Sequence, residues 1–311
     1  MNARTACWSC AISEDRGAPQ GLALRREAVE SGVRDLIKRE AQELPEPVRS
    51  ATIYALSSGG KRLRGMLALA AYDSAGGRGD ASGIAAAIET VHAYSLVHDD
   101  LPCMDDDDVR RGRPSTHRAF SVRIATAAGA AMIPLAAKVA YRSAVELRLP
   151  QSACCMIVKV LMQGAGAGGM IGGQLLDLAG EGVPLSRSEL DTIHRAKTGA
   201  LIASSVRLGG IAAGASAERV TALGRYGESI GLAFQIMDDV LDVTSSTDRL
   251  GKVAGRDAEL GKSTYPALLG VDGAVARAAQ LVEEGCGALR QQGLLTDELE
   301  TLAGFIVSRS H

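Results

Sequence analysis

Apolar side chains recur every three or four positions over most of this chain, and that spacing predicts amphipathic α-helices. Near the start, Val29, Val33 and Ile37 follow one another at intervals of four residues. Aromatic residues make up only 3% of the chain, whereas glycine and alanine are abundant. Because strands are rich in aromatic and β-branched residues, this composition favours close-packed helices over β-sheet. We predict an all-α protein in which residues 1–20 form a flexible tail and residues 21–311 form one domain.

Residues 121–145 are rich in small apolar side chains and predict a buried helix that is kinked at Pro134. The apolar run within this segment, residues 124–137, is short and interrupted by that proline, so we expect no membrane span. The N-terminus has no long apolar segment, which predicts a cytoplasmic protein without a signal peptide. A net charge of −2 offers no argument for a nucleic-acid partner.

The six cysteines are spread along the chain in a way typical of reduced cytosolic thiols and not of a disulfide framework. Cys7 and Cys10 have the CxxC spacing, but no second pair or nearby histidine completes a zinc site. We therefore assign no function to these two residues.

The most informative stretch is HAYSLVHDDLPCMDDDDVRRGRP, residues 92–114. Its acidic and basic side chains are Asp99, Asp100, Asp105, Asp106, Asp107, Asp108, Arg110, Arg111 and Arg113. A solvated charged surface is the commoner explanation for such a run. Here the run follows an apolar helical segment (residues 84–97), and clustered carboxylates repel one another unless a cation neutralises them. Because Mg²⁺ prefers oxygen ligands and substrate phosphates, and arginine binds phosphate oxygens, we interpret the stretch as a magnesium and diphosphate site.

Pro102 determines the expected shape of this stretch. In a regular helix its ring would clash with the carbonyl group of His98. We therefore expect the helix to bulge or end between residues 101 and 104, which would bring Asp105 towards Asp99.

A second acidic cluster lies in FQIMDDVLDV, residues 234–243. At 3.6 residues per helical turn, Asp238 and Asp242 lie one turn apart on the same face, with Asp239 beside them. Three carboxylates on an otherwise apolar helix are not typical of a solvated surface. The two clusters together predict two facing helices that share metal ions around a diphosphate.

Basic residues near helix breaks are candidates for binding phosphate. In GGKRLRG, two glycines precede Lys61, Arg62 and Arg64 at the start of a helix, where the helix dipole favours an anion. Ordinary surface ion pairs are the alternative. His92 lies two turns before Asp99 on the same helix face, and it is either a core histidine or a donor to a second phosphate group.

Two further basic segments lie later in the chain. Lys197 and Thr198 are unusual at the start of the apolar helix that begins with HRAKTGA, and they predict either a diphosphate contact or a lysine that extends to solvent. Lys252 and Lys262 each follow a glycine in the polar segment 248–266. Loops of this kind beside an acidic helix are candidates for a lid over a phosphate.

These strings together resemble the trans-isoprenyl diphosphate synthase family, and most closely its bacterial farnesyl diphosphate synthases. The resemblance extends from about residue 25 to the C-terminus. It is carried by GGKRLRG (59–65), HDDLPCMDDDDVRRGRP (98–114), GGQLLDL (172–178), KTGAL (197–201), FQIMDDVLD (234–242) and LGKSTYPALLG (260–270). Two aspartate-rich motifs in this order and with these flanks are highly specific.

The resemblance implies an isoprenoid-synthase-type helical bundle around a deep central active-site cavity, a homodimer, and three Mg²⁺ ions. The implied metal ligands are Asp99, Asp100, Asp105, Asp238, Asp239 and Asp242. The residues implied to hold the allylic diphosphate are Arg110, Lys197, Thr198, Gln235 and Lys252, with Lys262 as a further substrate-binding residue. The residues implied to hold isopentenyl diphosphate are Lys61, Arg64, His92 and Arg111.

Product length is expected to depend on the side chains just before the first aspartates. Ser95 lies one helical turn before Asp99, and Tyr94 is next to it. An aromatic residue at this place, together with a two-residue insertion in the motif, is similar to family members that stop at fifteen carbons. The resemblance therefore implies farnesyl diphosphate, made from isopentenyl and dimethylallyl or geranyl diphosphate. A geranylgeranyl diphosphate synthase is the alternative.

The chain departs from the family pattern at two positions. Val122 and Ala130 stand where the family usually has acidic residues. This departure motivates a second hypothesis, a catalytically weak subunit that regulates an active prenyl synthase. A class I terpene cyclase is a third, but it would not need a second diphosphate site. A purely structural helical protein leaves the paired acidic faces unexplained.

Overall fold

The computed structural model describes residues 20–244 and 262–308, and helices dominate them. In chain order these helices are α1 (Gln20–Arg39), a 3₁₀ turn (Ala41–Glu43), α2 (Val48–Leu56), α3 (Leu63–Ser74), α4 (Ser82–Asp99), α5 (Thr116–Ala119), α6 (Val122–Glu146), α7 (Gln151–Ala165), α8 (Met170–Ala179), α9 (Arg187–His194), a π-helical turn (Arg195–Gly199), α10 (Ala200–Ala212), α11 (Ala217–Thr244), α12 (Tyr265–Gln291) and α13 (Asp297–Ser308). The prediction of an all-α protein is confirmed.

Some predicted features lie outside the described residues. These are the tail before Gln20, the pair Cys7 and Cys10, and Lys252. The chain is already helical at Gln20, where α1 begins.

Two helices form the frame that carries the acidic clusters. Helix α4 packs against α1, α3 and α6, and helix α11 packs against α10 and α12. Helix α10 lies between the two groups, because it contacts both α3 and α11. The side chains at these contacts are mostly alanine, leucine, isoleucine and valine, which form one continuous hydrophobic core. Small residues allow the helices to approach closely, so the low aromatic content is compatible with a well-filled bundle.

The turn after α4 has the shape that Pro102 predicts. Helix α4 ends at Asp99, and the backbone N–H of Asp105 donates to the carbonyl of Asp99 at 2.8 Å. The next residue, Asp106, donates to the carbonyl of Leu101 at 3.2 Å. The chain therefore turns back on itself, and the prediction that Asp105 returns to Asp99 is confirmed.

A short β-hairpin follows this turn. Strand β1 (Val109–Arg110) pairs antiparallel with strand β2 (Arg113–Pro114). Gly112, between them, has φ of 71°, a left-handed conformation that suits glycine in a tight turn. The hairpin places two consecutive arginines beside the end of α4.

Helix α6 is less buried than the helix that the sequence predicts. It continues through Pro134 from Val122 to Glu146, and Val122, Tyr141 and Val145 on it are exposed. Its packing against α4 and α7 covers only part of its circumference. The helix therefore has one buried side and one exposed side, although few of its side chains are charged.

Two helical stretches have the length and mean hydropathy of a membrane span, contrary to the expectation that no run approaches one. They are Val122–Glu146, with mean hydropathy 1.4, and Gln151–Ala179, with mean hydropathy 1.5. Within the protein, 44% and 39% of these apolar windows are buried. Core helices of folded proteins can have the same length and composition as a membrane span. Both stretches pack against other helices of the bundle.

Candidate active site

The first acidic motif (Asp99 to Asp108) begins where α4 ends. Asp100 is buried and accepts a hydrogen bond from Arg110 Nε at 2.9 Å. The same guanidinium donates to Asp107 at 3.0 Å. Burial raises the pKa of Asp100, although the bond from Arg110 opposes that effect. In this structure Asp100 therefore positions Arg110 from inside the protein.

Asp99 has the electrostatic environment of a metal ligand. Burial raises its pKa to about 6, and the neighbouring charges of Asp105 and Asp100 act in the same direction, against the favourable charge of Lys197. A raised pKa shows that the protein groups around Asp99 do not fully compensate its negative charge. A cation bound between Asp99 and Asp105 would supply that compensation. Carboxylate oxygens near the surface are the donor set that Mg²⁺ uses.

Arg111 is held against the glycine pair that precedes α3. Its guanidinium donates to the backbone carbonyl of Gly59, and it lies 3.4 Å from Ser58 Oγ. A Cβ atom on Gly60 would lie 2.6 Å from Arg111 Nη1, and Gly60 has φ of 125°. Glycine is therefore required at this position both for the backbone conformation and for the approach of the arginine.

The three basic residues at the start of α3 have separate environments. Arg62 is buried, with its guanidinium bound to Glu30 at 2.8 Å and to the carbonyl of Leu56 at 2.9 Å, and it lies 3.5 Å from Glu89. Lys61 is exposed. Arg62 is therefore a structural residue, a distinction that the spacing of GGKRLRG did not reveal.

Lys61 also contacts the last described helix. Its Nζ atom lies 5.5 Å from the centre of the Phe305 ring, within the range of a cation–π interaction. Arg64 is only partly exposed and lies in the first turn of α3, which Lys61 and Arg62 precede.

His92 lies beside these cations. Burial, together with the charges of Arg64 and Arg111, holds the pKa of His92 well below its ordinary value. The imidazole is therefore neutral at pH 7 and can donate one hydrogen bond. An open cavity of about 30 Å³ adjoins it. His92, Arg110 and Arg111 all line this cavity.

The second acidic motif (Asp238 to Asp242) lies within α11. Asp239 is buried and accepts three hydrogen bonds: from Tyr265 N–H at 3.0 Å, from Gln235 Nε2 at 3.5 Å and, across 3.2 Å, from His194 Nε2. Asp242 is also buried, whereas Asp238 is partly exposed. Of the two adjacent aspartates, Asp238 is the one directed towards solvent. His194 and Tyr265 were not identified from the sequence.

The π-helical turn (Arg195–Gly199) brings Lys197 and Thr198 towards both motifs. Lys197 Nζ binds Asp177 at 2.7 Å, and its charge also acts on Asp99. Thr198 Oγ1 donates to Gln235 at 2.9 Å. Single π-helical turns inside α-helices are frequent at functional sites, because the extra residue redirects the side chains.

Two glycines allow this turn to pack closely against its neighbours. A Cβ atom on Gly173 would lie 2.1 Å from the backbone nitrogen of Lys197, and one on Gly231 would lie 2.7 Å from the Cα atom of Gly199. These two glycines thus allow close backbone approach at the site.

Asp177 joins two of the predicted phosphate-binding lysines. Besides Lys197, it accepts a hydrogen bond from Lys262 Nζ at 2.9 Å, and Lys262 also pairs with Glu181 at 3.4 Å. Burial acts to raise the pKa of Asp177, but the two lysines outweigh it and the pKa is lowered. Asp177 belongs to the string GGQLLDL in the sequence, but the sequence does not show that Lys197 and Lys262 are its partners.

The proposed chain-length residues lie in the core behind Asp99. Tyr94 is buried, and its ring meets that of His98 edge to face at a centroid distance of 5.4 Å. Ser95 is partly buried and donates to the carbonyl of His92 at 2.9 Å. The charge of Asp99 contributes to the raised pKa of Tyr94, about 12, although burial is the larger cause.

The two positions that depart from the family pattern are both exposed. Val122 is 47% exposed, and Ala130 is also on the exposed side of α6. The buried neighbour of Ala130 is Gly129, where a Cβ atom would lie 2.2 Å from His98 Nε2. The contact between α6 and the end of α4 therefore depends on Gly129.

Comparison with known proteins identifies relatives of this chain. Residues 45–292 match the family model described as polyprenyl synthetase. The chain is 45% identical over 269 residues to the farnesyl diphosphate synthase of Escherichia coli (strain K12), covering 85% of this chain and 90% of that protein. Among solved structures, the geranyltransferase from Legionella pneumophila has a TM-score of 0.79 and 34% identity, over 94% of this chain and 96% of the other.

A second solved structure is informative about ligands. The geranyltransferase from Helicobacter pylori, complexed with magnesium and isoprenyl diphosphate, has a TM-score of 0.78 and 29% identity to this chain. The match covers 94% of this chain and 97% of the other.

Proposed function

Because the chain belongs to the polyprenyl synthetase family, we propose that it is a Mg²⁺-dependent prenyltransferase that makes farnesyl diphosphate. Its substrates are isopentenyl diphosphate and dimethylallyl or geranyl diphosphate. The observation that carries the proposal is the position of Lys197. Its charge acts on Asp99 of the first motif, while the adjacent Thr198 binds Gln235, one turn before Asp239 of the second.

The carboxylates fit a magnesium site for the reasons given above. Asp99, Asp105 and Asp238 would be the principal ligands, with Asp100, Asp239 and Asp242 around them. Bound Mg²⁺ ions, three in this proposal, supply positive charge to the diphosphate as it leaves. Because Asp239 already accepts hydrogen bonds from His194 and Tyr265, its main role is to hold α11 and Asp238 in place.

The basic residues divide between two diphosphate sites. Arg110, Lys197, Thr198, Gln235 and Lys262 hold the allylic diphosphate beside the carboxylates, and Lys252 keeps the same expected role from the sequence. Lys61, Arg64, His92 and Arg111 hold isopentenyl diphosphate, which the contact of Arg111 with the glycine pair supports. Binding requires Arg110, Lys197 and Lys262 to exchange their present carboxylate partners, at least in part, for phosphate oxygens.

The reaction follows from this distribution of charge. The allylic C–O bond breaks and its electron pair goes to the departing diphosphate, where lysines and arginines stabilise the new charge. The double bond of isopentenyl diphosphate then attacks the allylic cation. A proton leaves the resulting carbon skeleton for the released diphosphate. The apolar side chains of α4 protect the cation from water.

Farnesyl diphosphate is preferred as the product because Tyr94 fills the core behind Asp99. A growing chain that starts at the aspartates meets this ring. Geranylgeranyl diphosphate is the alternative product, made if the chain passes beside Tyr94.

A product assay tests the function. The purified protein is incubated with Mg²⁺, isopentenyl diphosphate and either dimethylallyl or geranyl diphosphate, and the dephosphorylated products are separated by length. Farnesol is the expected product. Geranylgeraniol as the product would support the condensation reaction but contradict the role of Tyr94 as the residue that stops elongation. The matched control is the Asp99→Asn variant, which should form product on the order of 10²- to 10³-fold more slowly while it remains folded.

A catalytically weak regulatory subunit is the second candidate, motivated by Val122 and Ala130. Their exposure argues against it, because neither side chain contributes to the buried network around the two motifs. A folded protein that forms no product under any of these conditions would favour this candidate. The Val122→Glu and Ala130→Asp variants would then be the first to test for restored activity.

We also propose a homodimer formed through the exposed apolar side of α6 and α7. Tyr141 is 39% exposed, Val145 49% and Met156 43%, on two helices that pack against each other. Light scattering should give twice the chain mass of 32.3 kDa. A Val145→Glu, Met156→Glu double variant should give a monomer, and an unchanged mass would place the interface elsewhere.

A cytoplasmic location completes the proposal. The four cysteines among the described residues, Cys103, Cys154, Cys155 and Cys286, are free thiols. Cell fractionation is the test, with recovery in the membrane fraction as the contrary result.

A further inference from the structure

A second group of potential metal ligands lies on the outer side of the loop after α4. The group consists of Asp106, Asp108 and His117. Each offers one ligand atom, and these three atoms lie within 4.8 Å of one another. The two aspartates are exposed, but His117 is only 5% exposed. Two acidic side chains at a surface are common without a ligand. The buried histidine is therefore the evidence for a metal site here.

One ring nitrogen of His117 has a hydrogen-bond partner among the described residues and the other has none. Its Nδ1 atom lies 3.0 Å from Ser115 Oγ, which fixes the plane of the ring. Its Nε2 atom is buried and has no hydrogen-bond partner among the described residues. Buried polar atoms are nearly always paired, so an unpartnered nitrogen on a buried histidine that groups with two carboxylates indicates a missing ligand. A hydrogen bond to the other ring nitrogen is the usual support for a metal-bound histidine.

The group is electrostatically separate from the catalytic carboxylates. The charge of Asp105 acts on Lys262, which binds Asp177 on the side of the π-helical turn. The charge of the next residue, Asp106, acts instead on Arg118, which follows His117. Adjacent aspartates thus face two different sets of residues.

We propose that Asp106, Asp108 and His117 bind one divalent transition-metal ion, of the class of Zn²⁺, Mn²⁺ or Co²⁺. Two carboxylates and one imidazole match this class, whereas Mg²⁺ prefers oxygen ligands alone. Three protein ligands leave at least one position for water. This site goes beyond the magnesium ions of the proposed reaction and does not depend on that reaction.

The position of the site predicts what the metal does. The Ser115 N–H donates to the Asp108 carbonyl at 2.9 Å, which closes the base of the hairpin that carries Arg110 and Arg111. A metal held by Asp108 and His117 joins the two ends of this hairpin a second time. Metal binding therefore stabilises the segment that carries both arginines.

Arg118 is the competitor for the metal. It binds Asp108 through Nε and through Nη2, the latter at 2.8 Å, so a metal must share or displace that guanidinium. Removing the positive charge of Arg118 should therefore strengthen metal binding.

The test measures Co²⁺ binding by its visible absorption, without any diphosphate. The protein carries Asp99→Asn and Asp238→Asn, which removes two of the three principal ligands of the proposed magnesium site. One equivalent of Co²⁺ is expected to bind. Further substitution with Asp106→Asn or His117→Gln should weaken it by about 10- to 100-fold, and Arg118→Gln should strengthen it. His98→Gln, which removes a histidine outside the cluster, is the matched control.

The outcomes are distinct from those of the product assay. Absence of a bound equivalent, or binding that survives both Asp106→Asn and His117→Gln, overturns the site. Because Asp106 is exposed, its substitution does not disturb the core, and the result stands even if His117→Gln affects folding. A protein that makes no prenyl products can still bind one equivalent of Co²⁺ at this site.

Discussion

The first acidic motif ends a helix and continues into a loop, whereas the second lies within a helix of 28 residues. In the loop, several aspartates have arginine partners close in sequence: Asp100 with Arg110, and Asp108 with Arg118. In the helix, Asp239 is held by residues far along the chain, including Tyr265.

The difference follows from backbone geometry. Adjacent residues on a helix point about 100° apart, so an aspartate pair must divide between two faces. Asp238 is partly exposed and its neighbour Asp239 is buried. A loop has no such constraint, and its carboxylates can spread in several directions. The same residue type is therefore positioned by a rigid element in one motif and by ion pairs in the other.

The largest effect is expected from neutralising one proposed metal ligand in each motif. Asp99→Asn and Asp238→Asn should each lower kcat by on the order of 10²- to 10³-fold, because each removes charge that organises the diphosphate. Steady-state assays with geranyl diphosphate measure this effect. The matched control is Asp272→Asn, an exposed carboxylate outside the site, which should keep full activity. Activity within tenfold of the parent for either ligand variant would contradict its assignment.

Stability should distinguish the two aspartates of the second motif. Asp239→Asn should lower the free energy of unfolding by about 1–3 kcal/mol, because an amide cannot accept all the hydrogen bonds that the carboxylate accepts. Asp238→Asn should have a clearly smaller effect. Denaturant unfolding of both variants measures this difference. Equal losses of unfolding free energy would contradict the assignment of Asp239 as the buried side chain and Asp238 as the partly exposed one.

Metal binding at the first motif should depend on pH. The pKa of Asp99 is raised to about 6, so below that pH a proton must leave before the carboxylate can bind a cation. The apparent Mg²⁺ affinity should be constant above about pH 7 and fall by up to about tenfold per unit below pH 6. Activity titrated with Mg²⁺ at several pH values tests this. An affinity that stays constant down to pH 5 would contradict the raised pKa.

Product length should change only with the residue behind the first motif. Tyr94→Ala opens space next to Asp99 and is expected to shift part of the product from farnesyl to geranylgeranyl diphosphate. Leu24→Ala, which removes an exposed apolar side chain on α1, is the matched control. Chain-length analysis of both variants is the measurement, and an unchanged product from Tyr94→Ala would show that another residue stops elongation.

Local patterns in the sequence determined the helical class, the two acidic motifs and the turn at Pro102. Each depends on interactions within about one helical turn, such as the clash of a proline ring with the preceding turn. The glycine pair before α3 was also recognisable, although its contact with Arg111 was not.

The tertiary structure alone decided which charged residues face the site. The sequence placed Arg62 beside Lys61, but only packing against Glu30 and Glu89 made it a buried residue. The role of Asp177 required Lys262, 85 positions away. Side-chain periodicity specifies a direction around one helix, but the partner in that direction depends on how distant helices pack, and that packing is set by the whole core.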